Sequence, residues 1–347
     1  MLRLMVSAIS TLIACAVILG CASTPPLIKA AYEGDVNNVK ALLRSGVDVN
    51  MKNDRADETA LKASATYGHL DTVQYLLDNG ADVNLLTKYG ESALIGAAWG
   101  CHRDVAITLI KRGAHVNVQS LTNGETPLIL AVDCNDPDMV ALLIDAGAKV
   151  NIKNHAGVSP LMAAVRQNNA KIAETLIEAG ANPDMPNSGG NSPLYEAATN
   201  GYDAVVAMLV AKGADINSAS GYLGWTPLLA AINGNQVSTV RMLVQAGADI
   251  HVRDQNEFTP LLLAADFGNA SIVKILCEKG ADINAQDNRG WTPLHFAISY
   301  EYQDVIALLL MYHASADITD KEGHSARWYA EKSRDPKISG MFIRTPK

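Results

Sequence analysis

The chain has 347 residues and a formal net charge of −8, with 28 Lys and Arg against 36 Asp and Glu. Because it is acidic and has no Lys or Arg clusters, its composition argues against sequence-independent binding to nucleic acid. Aromatic residues make up only 5% of the chain while hydrophobic residues make up 48%. This balance favours helices packed through Ala, Leu and Val.

The first twenty residues have the layout of a secretory signal peptide. One basic residue, Arg3, precedes an apolar run from Leu4 to Leu19. That run is shorter than the roughly 20 residues that a membrane-spanning helix needs. A short apolar run after a basic start is typical of a cleaved signal. We therefore predict a signal peptide at residues 1–20.

The apolar run ends in Ile-Leu-Gly-Cys-Ala-Ser at residues 18–23. Small residues before a cysteine resemble the lipobox of bacterial lipoproteins, which are cut before the cysteine and lipidated on it. The resemblance implies that Cys21 carries a lipid in the outer membrane, that residues 21–25 form a short tether, and that the protein faces the periplasm. Release into the periplasm and an uncleaved membrane anchor stay open as alternatives.

Beyond the tether, a Ser or Thr recurs every 33 or 34 residues. A leucine lies two positions after each of them, except after the last, where Arg327 takes its place. These hydroxyl positions are Thr59, Ser92, Thr126, Ser159, Ser192, Thr226, Thr259, Thr292 and Ser325. A second marker, Gly-Ala-Asp-Val-Asn at residues 80–84, returns at the same spacing. Two markers with one period predict stacked copies of one unit, and this outweighs the two or three globular domains that length suggests.

Each unit is predicted to contain two helices. Thr292 is a good N-cap and Pro293 suits the first helical position, where a missing N–H costs nothing. A second helix follows near residues 304–311, with apolar side chains at helical spacing. Gly280 ends the corresponding helix of the preceding unit in the left-handed conformation, and a hairpin-like loop leads to the next unit.

The stretch Gly-Trp-Thr-Pro-Leu-His-Phe-Ala at residues 290–297 and the second marker resemble the ankyrin repeat. The resemblance covers residues 26–332 and implies an all-α fold, an ankyrin-repeat solenoid of paired antiparallel helices with hairpin-like loops. We expect about eight full repeats plus capping units, then a C-terminal tail at residues 333–347. Only His295 keeps the histidine that ankyrin repeats often place after the leucine, so the polar network that this histidine makes between repeats is expected to be weak.

In ankyrin proteins, the hairpin tips and the ends of the first helices line a concave face that binds proteins. The resemblance places on this face Tyr67, Tyr89, Trp99, Tyr222, Trp225, Phe258, Phe267, Arg289, Trp291 and Tyr300. Aromatic residues and Arg are frequent binding hot spots, and the acidic amino-terminal side favours a basic partner surface. An alternative is that Trp225, Phe258 and Trp291, which share one register, form a structural ladder.

The sequence contains no zinc-protease, nucleophile-elbow, Walker A or dinucleotide-binding motif. We therefore predict no enzymatic activity, no cofactor and no metal site. The histidines form no ligand-spaced pair, and His295 is interpreted as an internal hydrogen-bonding residue. Asp136 before Pro137 is expected to cap a helix and not to begin a calcium loop.

Cys101 and Cys134 fall at nearly the same place in adjacent repeats. Stacked helices lie about 8–10 Å apart, whereas a disulfide needs α-carbons less than about 7 Å apart. We therefore expect the two cysteines to stay unpaired, and the odd total of five cysteines also argues against a disulfide framework.

These patterns together predict a monomeric, non-catalytic scaffold that binds a protein partner and is lipid-anchored in a bacterial envelope. The resemblance permits a toxin-neutralising or a stress-protective role. Three alternatives stay open: a secreted or surface-displayed effector or adhesin that binds a host protein, a structural envelope protein without a dedicated ligand, and an enzyme with an unrecognised site.

Overall fold

The computed structural model describes residues 24–221 and 223–343. In these residues, α-helices alternate with turns and loops, and β-structure is limited to isolated bridges. The predicted all-α fold is confirmed. The signal peptide and Cys21 lie outside the described residues. Among the described helices, none is both long and apolar enough to cross a membrane.

The chain divides into two compact units, residues 1–155 and 156–347. The first unit contains α1 (Pro26–Glu33), α2 (Val36–Arg44), α3 (Ala60–Thr66), α4 (Leu70–Asp78), α5 (Ala93–Trp99), α6 (Arg103–Lys111), α7 (Pro127–Asp133) and α8 (Pro137–Asp145). The second contains α9 (Pro160–Arg166), α10 (Ala170–Glu178), α11 (Pro193–Asn200), α12 (Asp203–Ala211), α13 (Pro227–Asn233), α14 (Val237–Gln245), α15 (Pro260–Asp266), α16 (Ala270–Glu278), α17 (Pro293–Ser299), α18 (Gln303–Met311), α19 (Ala326–Lys332) and α20 (Pro336–Ile343). Odd-numbered helices are the first helix of each repeat and even-numbered helices the second.

The recurring hydroxyl residues start the first helices. Ser92 Oγ accepts a hydrogen bond from the N–H of Ile95 at 3.2 Å, which satisfies one of the free donors of the helix terminus. Asp136 caps α8 in the same way through its carboxylate, so the predicted cap is confirmed. Because these signals are local, the helix starts follow directly from sequence.

Within each unit, first helices pack on first helices and second helices on second helices. In the first unit α5 packs against α3 and α7, and in the second unit α15 packs against α13 and α17. Six of the seven residues are buried in each of α5, α7, α9, α13, α15 and α17, as in α9, where Pro160 to Val165 are all buried. No single helix pair covers this much apolar surface by itself, so stacking supplies the core.

Asparagines of the second marker link neighbouring repeats, at a position separate from the one that only His295 fills with histidine. The side-chain amide of Asn84 donates to the carbonyl of Gly113 at 3.1 Å and accepts from the N–H of His115 at 2.8 Å. Asn50 and Asn117 make the same pair of bonds to the next repeat. One amide thus satisfies both a carbonyl and an N–H that the neighbouring turn leaves open.

The turns between first and second helices interlock across repeats. The His102 ring packs directly over Gly68, where an added Cβ would lie 2.5 Å from the ring. His102 Nε2 also lies 3.1 Å from the carbonyl oxygen of Thr66. Tyr302 covers Gly268 in the same manner. Glycine is required at these positions because its backbone is left-handed and a neighbouring ring occupies the space of a side chain.

Cys101 and Cys134 form a disulfide, and the expectation that they stay unpaired is wrong. Their α-carbons lie 5.6 Å apart. The spacing between helix axes does not apply here, because both residues lie in the turns beyond the helices. Cys101 adopts a left-handed conformation with φ of 61°, and Cys134 is the C-cap of α7. Adjacent turns approach more closely than adjacent helix axes do.

One more helix follows the predicted end of the repeat domain at Lys332. Helix α20 packs against α19, and its Ile338 and Phe342 side chains are buried. The guanidinium of Arg327 donates to the carbonyl of Phe342 at 3.2 Å and to Asp317 at 2.9 Å. Residues 336–343, within the segment predicted as a C-terminal tail, therefore form a helix that pairs with α19.

Candidate protein-binding face

We define the first-helix face as three kinds of position in each repeat: the C-terminal end of the first helix, the residue before its N-cap, and the hairpin tip. The predicted binding residues occupy these positions, but they differ in exposure. Five are exposed, namely Tyr67 at 40%, Tyr89 at 45%, Trp99 at 49%, Phe267 at 46% and Tyr300 at 53%. Arg289 is also exposed, Trp225, Phe258 and Trp291 are half-buried, and Tyr222 lies outside the described residues.

Three of the exposed rings share one structural position. Tyr67, Phe267 and Tyr300 are the C-caps of α3, α15 and α17, and Trp99 is the last residue of α5. Since α15 packs against α17, Phe267 and Tyr300 follow neighbouring helix ends. The Tyr300 ring also lies 5.7 Å from the ring of Tyr302. These helix ends present apolar rings to water on a rigid frame.

The aromatic residues before the N-caps contribute to the stack in the second unit. Trp291 lies 5.2 Å from the buried Phe296 and 5.6 Å from Tyr329, measured between ring centroids. Phe258 lies 5.3 Å from the same Phe296 ring. Phe258 and Trp291 therefore cover one core residue from two sides. Trp225 has a different role, because its indole N–H donates to the carboxylate of Asp254 at 3.0 Å.

Arg289 is held by contacts on several sides. Its Nε donates to Asp287 at 2.9 Å, and its guanidinium lies 4.6 Å from the centre of the Trp291 ring and 5.1 Å from that of Phe296. Asp287 is buried and also accepts the backbone N–H of Trp291. Cation–π contact and a charge-assisted hydrogen bond thus fix a side chain that is still exposed.

Two hairpins are one residue longer than that of Thr87, as the 34-residue spacings indicate, and the hairpin of Asn53 and Glu58 has the longer form as well. The N–H of Ser120 bonds to the carbonyl of Glu125, five residues on, whereas the N–H of Thr87 bonds to Glu91, four residues on. The hairpin of Ser220 and Trp225 has the longer form as well. The extra residue leaves Leu121 71% exposed at the tip.

An ion cluster in the first unit was not anticipated from the sequence. Lys62 Nζ lies 3.2 Å from a carboxylate oxygen of Glu58 and 3.3 Å from one of Glu91. The hydroxyl of Tyr32 donates to the other oxygen of Glu58, and its ring meets that of Tyr67. Burial lowers the pKa of Lys62, but the two carboxylates outweigh it and raise that pKa above its usual range.

Lys62 is the sequence feature from which this cluster could have been predicted. Lys62 occupies the position that His295 holds in its own repeat, immediately after the leucine. A lysine at an inward-facing position needs carboxylate partners, and the glutamates before two successive N-caps provide them. The cluster fixes the base of the first-helix face beside Tyr67.

Glu125 is the least satisfied acid on the face. One of its carboxylate oxygens accepts from the Asn154 side chain at 2.9 Å, while the other, Oε2, is buried and has no hydrogen-bond partner. Burial raises the pKa of Glu125, and the bond from Asn154 offsets only part of that effect. The folded protein therefore carries a carboxylate with unused acceptor capacity.

Replacing this carboxylate should change how stability depends on pH. Because the folded state raises the pKa of Glu125, stability is lost as pH rises from the unfolded pKa through the folded one. We expect the thermal stability of Glu125→Gln relative to the wild-type protein to increase as pH rises from the usual Glu pKa of about 4.3 towards neutral pH. Melting curves of both proteins across this range measure the difference. Asp71→Asn, which removes an exposed charge on α4, is the control. A difference in melting temperature between Glu125→Gln and the wild-type protein that stays constant with pH contradicts the prediction.

The described residues contain no group of three or more His, Cys, Asp or Glu side chains that could hold a metal ion. His295 is buried and its Nδ1 accepts the N–H of Thr292 at 3.1 Å. The interpretation of His295 as an internal hydrogen-bonding residue is confirmed, and burial lowers its pKa. Burial raises the pKa of Cys277 to about 11, which keeps this thiol protonated and poorly nucleophilic.

Comparison with known proteins agrees with this architecture. The family model described as ankyrin repeats in three copies matches residues 27–120, 128–220, 161–254 and 228–322. A solved structure of the ankyrin repeat domain of Bcl-3, a member of the IκB protein family, superposes with a TM-score of 0.60. It covers 64% of this chain and 99% of that domain at 24% identity, a likeness of fold alone.

Similar curated proteins have unrelated names. The chain is 31% identical to an L-asparaginase of Dirofilaria immitis over 131 residues, and 32% identical to the phosphocholine transferase AnkX of Legionella pneumophila over 127 residues. It is 33% identical to Neurogenic locus notch homolog protein 1 of Xenopus tropicalis over 125 residues. These matches cover 38%, 36% and 36% of this chain, but only 22%, 13% and 5% of the relatives.

The likeness to the two enzymes is thus confined to a small part of each, and the ankyrin fold in general is an interaction domain. The family model accounts for more than half of the chain, and the helix pairs, caps and hairpins agree with it. The chain belongs to the ankyrin-repeat family.

Proposed function

We propose that this protein is a non-catalytic scaffold that holds a protein partner on its first-helix face, the concave face of the family. Ankyrin repeats serve as protein–protein interaction scaffolds, and the exposed rings on this face are what a partner would bury. The proposal treats the protein as a monomer, with no cofactor and no nucleic-acid ligand.

One observation carries the proposal: large apolar rings are exposed at equivalent helix ends in several repeats. Tyr67, Trp99, Phe267 and Tyr300 are each 40% exposed or more, although a polar residue at the same place would satisfy the fold. Fully burying a large apolar side chain is worth roughly 1.5–3 kcal/mol, so burying the exposed half of such a ring against a partner is worth about 1 kcal/mol. Because the rings stand on packed helices, little entropy is lost when a partner orders them.

Site-specific crosslinking in cells tests this proposal. A photoreactive benzoylphenylalanine replaces Trp99 in one variant and Phe267 in another, and mass spectrometry identifies what is captured. Control variants carry the same group at Asp71 on α4 or Lys274 on α16, both exposed on second helices. We expect a defined protein adduct from the first pair only. Equal capture from all four positions, or from none, contradicts a partner on the first-helix face.

We extend the proposal to location: the protein is anchored by a lipid on Cys21 in a bacterial envelope and faces the periplasm. Two independent features support this. The residues before Cys21 resemble a lipobox, and the Cys101–Cys134 disulfide suits an oxidising compartment, since such bonds are rare in reducing cytosol.

The Cys21→Ser variant is expected to lose lipid labelling and membrane retention entirely, because serine has no thiol to carry the thioether. Metabolic labelling with an alkyne fatty acid, followed by membrane fractionation, measures both. Cys277→Ser is the matched control and should label like the wild-type protein. Continued labelling of Cys21→Ser would show that the anchor is elsewhere or absent.

A toxin-neutralising or stress-protective role is the finer part of the proposal. In the first case, this protein relieves growth inhibition caused by the product of a neighbouring gene, and the two form a complex. In the second, a deletion strain is sensitive to envelope stress without such a toxin. The absence of both phenotypes contradicts both roles.

A further inference from the structure

We propose that a surface in the second unit binds an arginine side chain of the protein partner, with the guanidinium between the Phe267 and Tyr300 rings and bonded to Asp266. We call this surface the Asp266 slot and define it by Asp266, Phe267, Tyr300 and Tyr302. The inference rests on the proposed function, because the slot lies on the first-helix face, and it names the chemistry of the partner.

The walls of the slot come from two neighbouring repeats. Asp266 is the last residue of α15, Phe267 is the C-cap of that helix, and Tyr300 is the C-cap of α17. Since α15 packs against α17, the two C-caps lie about one helix spacing apart, roughly 8–10 Å. A flat group stacked between two rings needs about 3.5–4 Å on each side. The spacing therefore admits one guanidinium.

Tyr302 forms the floor between the two exposed rings. The Tyr302 ring covers Gly268, the residue directly after Phe267, and lies 5.7 Å from the Tyr300 ring, measured between centroids. Phe267 and Tyr300 are exposed, whereas Tyr302 is half-buried. Because the three rings stand on packed turns, a partner meets a preformed surface, which lowers the entropic cost of binding.

Asp266 gives the slot its charge. Its carboxylate is half-buried and makes no hydrogen bond or ion pair with any residue that the structure describes. Burial raises the pKa of Asp266, and the charge of Arg289 offsets part of this effect. Arg289 itself donates to Asp287 and rests on the Trp291 ring. The oxygens of Asp266 are therefore open to a donor from a partner.

The other charged side chains leave the Asp266 side of the slot negative. Glu301 follows Tyr300 and is exposed. Lys332 and Arg334 are exposed cations of the next repeat. Because α17 packs between α15 and α19, these cations lie on the side of Tyr300 away from Asp266. A basic side chain is favoured between the rings, and an acidic one meets repulsion from Asp266.

Arginine fits the slot better than lysine does. Its planar guanidinium stacks on aromatic faces, and its N–H groups, directed along the plane of the rings, reach a carboxylate at their edge. A hydrogen bond between two charged groups is about twice as strong as a neutral one. The guanidinium is also more weakly hydrated than an ammonium group, so less hydration is lost when it enters between two rings.

The test uses the full-length protein in a non-ionic detergent and a defined probe, the peptide acetyl-Gly-Arg-Gly-amide. The chain has four phenylalanines, namely Phe258, Phe267, Phe296 and Phe342, so labelling with 4-fluorophenylalanine gives four fluorine signals in an NMR spectrum. The Phe267→Leu variant assigns the Phe267 signal by its disappearance. We expect the probe to shift this signal in a saturable way and to leave the signals of the buried Phe296 and Phe342 unchanged.

A matched probe separates the charge of arginine from its shape. The peptide acetyl-Gly-citrulline-Gly-amide has a neutral side chain of nearly the same size and flatness. We expect it to bind roughly fivefold more weakly than the arginine probe, because its bond to Asp266 is no longer charge-assisted.

Matched variants then separate the slot from the general acidity of the chain. Asp266→Asn should weaken binding of the arginine probe roughly fivefold, and it removes no hydrogen bond or ion pair to a described residue. Glu278→Gln removes the same charge from the last residue of α16, about 12 Å along that helix from its start. Screening at about 0.15 M salt should keep its effect below about twofold. Tyr300→Ala, which removes one exposed ring, should also weaken binding.

Four results would overturn the inference: no shift of the Phe267 signal, an equal shift of the Phe296 signal, equal affinity for the arginine and citrulline probes, or equal effects of Asp266→Asn and Glu278→Gln. Failure here is distinguishable from failure of the proposed function. A partner crosslinked at position 267 through a segment without arginine removes the inference and keeps the scaffold. Probe binding at Asp266 without any cellular partner supports the slot and removes the scaffold role.

Discussion

Removing the Cys101–Cys134 disulfide is expected to lower the free energy of unfolding of the first unit by about 3–4 kcal/mol. The bond joins residues 33 positions apart, and closing a loop of that length restricts the unfolded chain by about this amount. Cys101 has the place in its repeat that Gly68, the glycine beneath the His102 ring, has one repeat earlier. Without it, the turns that follow α5 and α7 lose their direct connection.

Native-state hydrogen exchange of the Cys101→Ser/Cys134→Ser double variant measures this loss, because it reports the first unit separately from the second. Cys277→Ser is the control for a simple loss of sulfur. A further variant, Cys101→Gly/Cys134→Ser, should recover about 0.5–1 kcal/mol, since glycine tolerates the φ of 61° at position 101. Unchanged amide protection in the double variant would contradict the prediction.

Trp291→Ala is expected to destabilise the carboxy-terminal repeats by about 3 kcal/mol. The substitution uncovers Phe296, which is only 1% exposed, and removes the ring on which the Arg289 guanidinium rests. It also ends the contact between Trp291 and Tyr329. Large-to-small changes of a packed tryptophan typically cost about 3–5 kcal/mol, and the partial exposure of Trp291 places this one at the lower end.

Phe267→Ala provides the matched comparison, because it also removes an aromatic ring from the first-helix face. Phe267 is 46% exposed, so only about half of its ring is buried in the stack and we expect a smaller change of about 1 kcal/mol. Hydrogen exchange of amides in α15 to α19 measures both variants. Equal effects of the two substitutions would mean that exposure does not separate rings that build the stack from rings available to a partner.

This contrast divides the predicted binding residues into two groups. Phe258 and Trp291 share a core contact through Phe296, as the ladder alternative expects, although Trp225 bonds to Asp254 instead. Tyr67, Trp99, Phe267 and Tyr300 keep 40–53% of their surface exposed. Register alone places both groups on one face, and only packing tells them apart.

The residues that could be predicted from sequence are those whose role is local. The hydroxyl of Ser92 meets an N–H three residues away, and Asp136 caps the helix that Pro137 begins. Such contacts are complete within one turn of chain, so their residue types are diagnostic. The recurrence of these caps every 33 or 34 residues then specified the fold, because identical units stack in only one way.

Contacts between repeats were less predictable, even where the sequence carried a signal. Asn84 closes the second marker in its repeat, yet its value as a bridge to Gly113 and His115 appears only when the next turn is in place. In the sequence, Lys62 is a lysine at the position where ankyrin repeats often have histidine. Its role in an ion cluster follows only from the positions of Glu58 and Glu91. The Asn84 bonds and the Lys62–Glu91 ion pair join groups about 30 residues apart along the chain.

The sequence by itself determined the repeat period, the helix starts and the ankyrin family, because these depend on interactions within a few residues. Only the tertiary structure decided that Cys101 and Cys134 are bonded, that α20 completes the last pair, and that Glu125 keeps an unpaired oxygen. The physical reason is distance: a disulfide, a burial or a missing hydrogen bond is set by how closely separate turns approach. A one-dimensional pattern of spacings does not contain those distances.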